Sequence, residues 1–441
     1  VTITRFAPSP TGTLHVGNIR TAILNWLYAR STGGTFLLRI DDTDAERSEE
    51  RFVEAIRADL AWLGLSADGE VRQSARFDLY QRRFDELRAA GRVYPAYETQ
   101  QELELRRKVL LGRGLPPIYD RAALALNDAD RAALEADGVR PHWRFKLDPG
   151  GIEWDDLIRG PQHFDASTMS DPVIRRADGS WLYMLPSVID DVDMAVTTVV
   201  RGEDHVSNTA LQIQMFAALG SAVPAFAHAA LLTGTEGKLS KRLGSLGVEH
   251  FREEGIEPQA ILSLLARIGT SDPVEPFAGP APLVAAFDFG RFGRAPARFD
   301  EAELAQINAR IVHGMDFDSV SDRLPAGMDR AGWEAIRPNL SRVEESADWW
   351  HVVEGPIDRA AADDEDRAFL AAAHRIASDI DWSADPWHAL TGRLKEETGR
   401  KGKPLFLPLR RALTGRDHGP DMAALLPLIG RVRALERLEM V

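Results

Sequence analysis

Cysteine is missing from all 441 residues. That excludes disulfides, thiolate metal sites and a cysteine nucleophile, while saying little by itself about compartment. No apolar run approaches the roughly eighteen residues of a membrane-spanning helix, so no membrane partner is expected. The opening VTITRFAPSP has neither the basic start nor the long apolar stretch of a secretion signal, and a cytoplasmic location is the expectation. Internal repeats and low-complexity segments are absent. A GxxxxGK[ST] loop is absent too, which leaves a P-loop NTPase unsupported.

What is present is an ordinary globular composition, 44% apolar and 27% charged, in a chain long enough for two to four domains. The formal net charge of −14 argues at first against a polyanionic partner. The charge is uneven, however: residues 391–441 carry a local +5 and the remainder −19. A basic end on an acidic protein is compatible with binding phosphates.

TITRFA reads as a strand. After the turn PSPTGTLHVGN, the residues Ile19, Ala22, Ile23, Trp26 and Leu27 follow at helical spacing and Gly33-Gly34 closes the helix. TFLLRI then reads as a buried strand, and Phe52, Ile56, Leu60 and Leu63 line one face of a second helix. This alternation opens a doubly wound α/β fold. Residues from about 74 to 185 break the rhythm with charge-rich helical stretches and short strands such as HWRFKL, as an insertion would. DVDMAVTTVVRGEDH resumes it as a strand whose polar end should reach the ligand edge of the sheet. The ALQIQMFAALG helix and AFAHAALL follow, and from 242 onward the pattern is mainly helical.

Two stretches carry chemistry. The prolines and glycines of residues 8–18 let the backbone turn sharply into a helix N-terminus, where amides and the helix dipole favour phosphate, and His15 is set to donate to a phosphate oxygen. Far downstream, GTEGKLSKRLGS gathers Lys238, Lys241 and Arg242 in a glycine-bounded loop. Alone, the first is an ordinary turn and the second a solvated surface loop; together they gain force.

HVGN at 15–18 resembles the HIGH signature, and KLSKR at 238–242 the KMSKS signature, of class I aminoacyl-tRNA synthetases. FAPSPTGTLHVGN, RIDDTD at 39–44 and RGEDHVSN at 201–208 narrow the resemblance to glutamyl-tRNA synthetases of the bacterial type. It extends to KPLFLPLRRALTG near the C-terminus. The resemblance implies a Rossmann-type catalytic core (1–73 and 186–241) split by an acceptor-stem-binding insertion (74–185). A connecting helical domain (242–310) and an all-α anticodon-binding domain (311–441) follow.

The resemblance also implies that glutamate attacks the α-phosphorus of ATP and that the tRNA terminal ribose then takes the glutamyl group. His15, Lys238 and Lys241 would be catalytic, with Mg²⁺ on the phosphates. Pro8, Ser9, Gly12, Gly17 and Asn18 would hold ATP from one side. Glu203, Asp204, Leu239, Ser240 and Arg242 would hold it from the other. Arg5, Tyr183 and Arg201 match positions that hold carboxylates, Ser9 and Asp41 those near the amino group, and Ala7 and Ser187 complete the glutamate pocket. Asp44, Arg47, Asn339, Arg410 and Arg411 would meet tRNA.

Asp41 departs from the glutamate common in the family, and a carboxylate one methylene shorter needs compensation. RIDDTD is also similar to glutaminyl-tRNA synthetases, but those end in β-barrels where this chain reads helical. Without thiols no protein-bound zinc is expected. Asn339 stands where enzymes restricted to glutamate tRNA carry an arginine, so the acceptor is tRNA(Glu) with tRNA(Gln) open as a second; a cap at a helix end is the other reading of Asn339. A monomer is expected. Rival readings are a small-molecule nucleotidyltransferase of the pantothenate-synthetase kind, a tRNA-modifying paralogue, and a non-catalytic tRNA-binding protein.

Overall fold

TITRFA and TFLLRI become neighbouring parallel strands, β1 (Ile3–Phe6) and β2 (Thr35–Ile40), in the computed structural model, which describes residues 1–235, 237–238, 246–358 and 361–439. Between them runs α1 (Val16–Ser31), which buries Ile19, Ala22, Ile23, Trp26 and Leu27. Thr32 caps it, and Gly33 takes the left-handed φ of +63° that turns the chain back into β2. Burying side chains the size of Ile19, Ile23 and Leu27 contributes about 1.5–3 kcal/mol each. α2 (Glu50–Trp62) and β3 (Gly69–Arg72) follow, with β3 parallel to β2.

The buried face of α2 runs through Val53, Ile56, Leu60 and, just beyond, Leu63. The expected Phe52 is only half-buried, one position off that stripe, with the Arg51 guanidinium 4.5 Å from its ring centroid. Asp59 lies on the buried side as well. Burial pushes its carboxyl up to about 6, with Arg252 at 3.5 Å opposing and Glu249 adding to the shift. The unfolded value is near 3.8, so between about pH 4 and 6 the native state must surrender a proton it holds more tightly, and stability falls as pH rises through that window. Asp59→Asn should therefore melt a few degrees higher than the parent at about pH 8, with the advantage shrinking by about pH 5. Melting curves at the two pH values check this; an equal gain at both contradicts it.

Residues 77–175 hold α3 (Phe77–Ala89), β4 (Val93–Ala96), α4 (Gln100–Gly112), α5 (Asp128–Ala136) and β5 (His142–Phe145). They end with β6 (Gly151–Asp156), β7 (Gly160–Asp165) and β8 (Val173–Arg175). β4, β5 and β8 form an antiparallel sheet of their own. The β6–β7 hairpin instead joins the edge of the core sheet.

The chain then forms α6 (Met184–Asp193), β9 (Thr198–Gly202), α7 (Val206–Ala218) and β10 (Ala225–Ala229). DVDMAVTTVVRGEDH is thus not one strand: its first three residues end α6, a turn intervenes, and only TVVRG is extended. The run LPSVIDDVD winds as a helix buried nearly all round, from Met184 to Asp191, and that burial hides its period.

β9 and β10 are parallel, and β9 runs beside β1, where Thr197 N–H donates to Ile3 O at 2.9 Å. Asn25 of α1 ties the layers together by donating to Val200 O at 3.0 Å. The order β3, β2, β1, β9, β10 reverses between β1 and β9. In such sheets the crevice beyond the C-terminal strand ends at that switch point is where ligands bind.

The unit formed by residues 253–260 and 301–441 is helical. Its helices include Glu301–Gly314, Arg330–Ile336, Ser346–Glu354, Asp364–Asp379, Pro386–Thr398, Lys403–Thr414 and Met422–Glu439, the last broken at Gly430 with φ +78°. Trp333, Leu390, Leu409 and Leu425 sit fully inside its core. The other unit comprises residues 1–252 and 261–300. Among the described residues no helix is long and apolar enough to cross a membrane.

Candidate active site

A cleft of about 620 Å³ opens at the C-terminal ends of β1, β2 and β9. One wall is the turn of residues 7–14 running into α1. Its backbone is pinned where Asp41 N–H donates to Pro8 O at 2.9 Å and Glu49 N–H to Pro10 O at 3.1 Å. His15 is the N-cap of α1, its N–H donating to Asn18 Oδ1 at 3.4 Å. The first turn holds no acidic residue, so nothing there offsets the positive helix end. Burial lowers the His15 pKa, keeping the ring neutral near pH 7 with one N–H to donate.

A Cβ on Gly17 would lie 3.4 Å from the His15 ring, and one on Gly12 would meet nothing within 4 Å; both glycines leave room on the cleft wall. The residues that follow the lysine-rich stretch are held on this wall. β11 (Leu232–Gly234) pairs with β12 (Gly237–Lys238), and beyond it Leu246 O accepts from Val16 N–H at 2.9 Å while Gly247 bridges His15. A Cβ on Gly247 would come within 2.7 Å of Leu14 O, so only glycine allows that approach. The Lys238 side chain and residues Leu239, Ser240, Lys241 and Arg242 lie outside the described residues.

The other end of the cleft is a lattice of buried charge. Arg5 donates to Asp191 through Nε at 2.8 Å and Nη2 at 3.3 Å. Arg39 donates to Asp191 at 2.9 Å, to Asp41 at 2.6 and 3.0 Å, and to Ser187 Oγ at 3.0 Å. Burial would raise Asp191, but Arg5 and Arg39 outweigh it and hold the carboxyl below its ordinary range. For Asp41 burial prevails over Arg39 and pushes the carboxyl up. Asp190, beneath, is satisfied by Arg76, Gln73 and Tyr80.

Arg201 differs from its neighbours. It is 9% exposed and meets only neutral acceptors: Thr209 Oγ1 at 2.5 Å, Gln212 Oε1 at 2.8 Å and His228 Nε2 at 3.3 Å. Burial, then the charge of Arg5, pull its pKa down to about 10. Among the buried groups at this end, the guanidiniums of Arg5, Arg39 and Arg201 face the carboxylates of Asp41 and Asp191, with Asp190 matched by Arg76. One positive charge is left over, and it sits on Arg201. Tyr183, 41% exposed and accepting from Asn208 at 2.5 Å, stands at the rim, where burial still raises its phenol pKa.

Arg5, Ala7, Pro8, Ser9, Gly12, His15, Gly17, Asn18, Asp41, Tyr183, Ser187, Arg201 and Asp204 all line this one cleft. Glu203 is not among its lining residues: its carboxylate accepts from Arg159 at 2.6 Å and from Leu231 N–H at 3.1 Å, bracing the turn after β9. Arg47 is exposed and Asp44 half-buried, with their charged ends 4.0 Å apart. Arg410 donates to Pro420 O at 3.0 Å, and Arg411 makes a two-pronged pair with Asp417 at 2.6 and 2.9 Å. Asn339 ends the short turn Arg337–Asn339 with its side chain exposed and with no hydrogen bond to a described residue, so it caps no helix there.

Sequence reasoning missed Arg39, Asp190, Asp191, His205 and the pair of Asp156 with His228. A signal for Asp190 and Asp191 existed: two adjacent carboxylates inside an apolar run need cations when that run is buried. Tyr183, Ser187 and Asp191 also recur at i, i+4, i+8, one face of a helix.

Residues 2–304 match the family model described as "tRNA synthetases class I (E and Q), catalytic domain", and residues 330–441 match "Anticodon binding domain". A glutamate-tRNA ligase 1 of Rhizorhabdus wittichii is 69% identical over 437 residues, covering 99% of this chain and 98% of that protein. A glutamate-tRNA ligase 1 of Novosphingobium aromaticivorans is 68% identical over 438 residues, covering 99% of each. The crystal structure of a glutamate tRNA ligase from Elizabethkingia meningosepticum in complex with its amino acid superposes with a TM-score of 0.87 at 26% identity, over 100% of this chain and 98% of that one.

Proposed function

The chain belongs to the class I tRNA synthetases of the E and Q type, and from that premise we propose that it is a glutamate-tRNA ligase. It attaches L-glutamate to the 3′-terminal ribose of tRNA(Glu) through a glutamyl-adenylate, consuming ATP. The relatives that align over the whole chain carry that name. The observation that carries the reading is the Arg201 guanidinium, buried at the cleft and hydrogen-bonded to neutral partners alone. Glutamate, with two carboxylates and one ammonium, brings one net negative charge to match it; glutamine brings none. A buried cation left without an anion is costly, and a neutral ligand would leave it so.

In the first step a carboxylate oxygen of glutamate attacks the α-phosphorus, the bond to the β-phosphate oxygen breaks, and pyrophosphate leaves. The neutral His15 N–H, the positive N-terminal end of α1, Lys238 and Lys241 stabilise charge developing on the phosphates. Mg²⁺ enters as part of the nucleotide substrate, held by phosphate oxygens. Arg5 and Arg201 orient the carboxylates, with Ser9 and Asp41 near the ammonium. In the second step the ribose hydroxyl attacks the acyl carbonyl, loses its proton, and AMP departs. Glutamate-dependent ATP–pyrophosphate exchange tests the first step, and it should be seen only with tRNA present; strong exchange without tRNA contradicts that dependence.

For tRNA we propose an acceptor-stem contact on 74–185, a connecting role for 242–310 and anticodon contacts on 311–441, in a monomeric cytoplasmic enzyme. Arg411 would exchange Asp417 for a phosphate. The Arg410→Ala, Arg411→Ala variant should then make the slope of log affinity against log salt shallower by about 1, the share of one phosphate contact. An unchanged slope removes this patch from the interface.

We further propose that tRNA(Gln) is glutamylated as well. The exposed, unpartnered Asn339 supports this: an amide offers donor and acceptor alike and discriminates less than a guanidinium between cytosine and guanine at the last anticodon base. Charging both transcripts should give kcat/KM values within about 10³ of each other, a gap of about 4 kcal/mol. A larger preference for tRNA(Glu) means selection is strict.

A further inference from the structure

Arg201 keeps its charge free because its partners are neutral, and one of them is held neutral by a buried carboxylate. His228, on β10, is completely buried, and its Nδ1 lies 2.5 Å from Asp156 Oδ2 at the end of β6. The carboxylate can only accept, so Nδ1 carries the proton and Nε2 is left with a lone pair. That lone pair faces Arg201 Nε at 3.3 Å and Thr209 Oγ1 at 2.9 Å. The ring is clamped as well, stacked on Phe226 with centroids 6.0 Å apart. Neither Asp156 nor His228 lines the cleft.

We propose that Asp156 and His228 are positioning residues for the amino-acid site: by fixing the Nδ1–H tautomer they present an acceptor to Arg201, aim its guanidinium at the substrate carboxylate and leave its charge unneutralised. This rests on Arg201 receiving a carboxylate of glutamate. The alternative arrangement shows the logic. A carboxylate in place of the imidazole would pair with Arg201 and compete with the substrate, whereas a protonated imidazole would set a second cation against it. Burial and the charge of Arg201 both keep the His228 pKa low. Arg159 and His205, the other titratable groups near this pair, do not hydrogen-bond to the ring.

Asp156 Oδ1 gives the sharpest test. It accepts from the backbone N–H groups of Ile158, Arg159 and His228 at 3.1, 2.9 and 3.1 Å. In Asp156→Asn those three donors retain the side-chain oxygen and turn the amide NH₂ toward His228 Nδ1. The imidazole must then carry its proton on Nε2, aimed at the Arg201 Nε–H. With saturating tRNA and ATP, Asp156→Asn and His228→Leu should each raise the KM for glutamate about tenfold or more, the scale of losing a hydrogen bond to a charged group. The KM for ATP should stay within about twofold in both. His228→Gln, which retains an acceptor, should stay within about threefold of the parent, and adding Asp156→Asn to His228→Leu should cost nothing more.

Equal glutamate KM values for parent, His228→Leu and Asp156→Asn overturn the proposal, as does a His228→Gln variant no better than His228→Leu. So does a loss shared equally by both substrates and the melting temperature, the mark of a purely structural pair. If Asp156→Asn fails to fold, the Leu and Gln variants of His228 decide alone. Arg201→Gln, run alongside, separates the two failures: if it leaves the glutamate KM unchanged, the carboxylate reading of Arg201 is wrong; if it raises that KM while the His228 and Asp156 variants do not, only the positioning pair is wrong.

Discussion

Arg201→Gln should raise the KM for glutamate by about 10²-fold or more while changing kcat far less, because a charge-assisted pair in a dry site is worth about 2–4 kcal/mol and acts on ground and transition state alike. The residue is 9% exposed and hydrogen-bonds to no carboxylate, which leaves its guanidinium open to an anion entering the cleft. The same change should erode the preference for glutamate over glutamine, since the neutral amide no longer leaves a cation unmatched. Steady-state aminoacylation with each amino acid reads both effects. A KM for glutamate within twofold of the parent would show that the carboxylate is held elsewhere. Arg5→Gln would be harder to interpret, because removing Arg5 also strips Asp191 of one of its two guanidiniums.

A second large effect is expected on the phosphate side. His15→Ala should lower kcat by about 10²–10³ with little change in the KM for glutamate, the usual cost of removing one donor aimed at developing charge. His15 is neutral, so one N–H is all it supplies, and His15→Gln should recover part of the rate. Lys241→Ala should lose kcat on a similar scale, about 10²-fold or more, by removing a cation rather than a donor. Leu246 and Gly247, just beyond this stretch, are anchored on Val16 and His15, so the two variants test one site from two distant parts of the sequence. Unchanged turnover in either variant would return that stretch to an ordinary turn or surface loop.

The parts of this site that sequence disclosed are those written locally. PSPTGTLHVGN announces a tight turn into a helix because proline, glycine and helical spacing act over a few residues, and α1 begins there. β1 and β2 were readable for the same reason, as apolar runs between turn residues. What stayed hidden depends on distance. Arg39 lies two residues from Asp41, yet its partners Ser187 and Asp191 are about 150 residues on. His228 and Asp156 meet across β10 and β6, 72 residues apart. AFAHA looks like any buried strand with one histidine, and nothing in its neighbourhood names the carboxylate. The α6 misreading has a related cause: a helix buried on every side has no polar face to reveal its turn.

Transfer of glutamate to tRNA is the most direct test. Purified protein, ATP, Mg²⁺ and total tRNA are incubated with labelled glutamate or labelled glutamine, and the acid-precipitable label is tested for the alkali lability of an ester. The expected result is ATP-dependent, alkali-labile transfer of glutamate to the terminal ribose, with glutamine transferred at least about 10²-fold more slowly because it leaves the Arg201 charge unmatched. Transfer of glutamine in preference to glutamate, label on an internal base in an alkali-stable bond, or no transfer at all would contradict it.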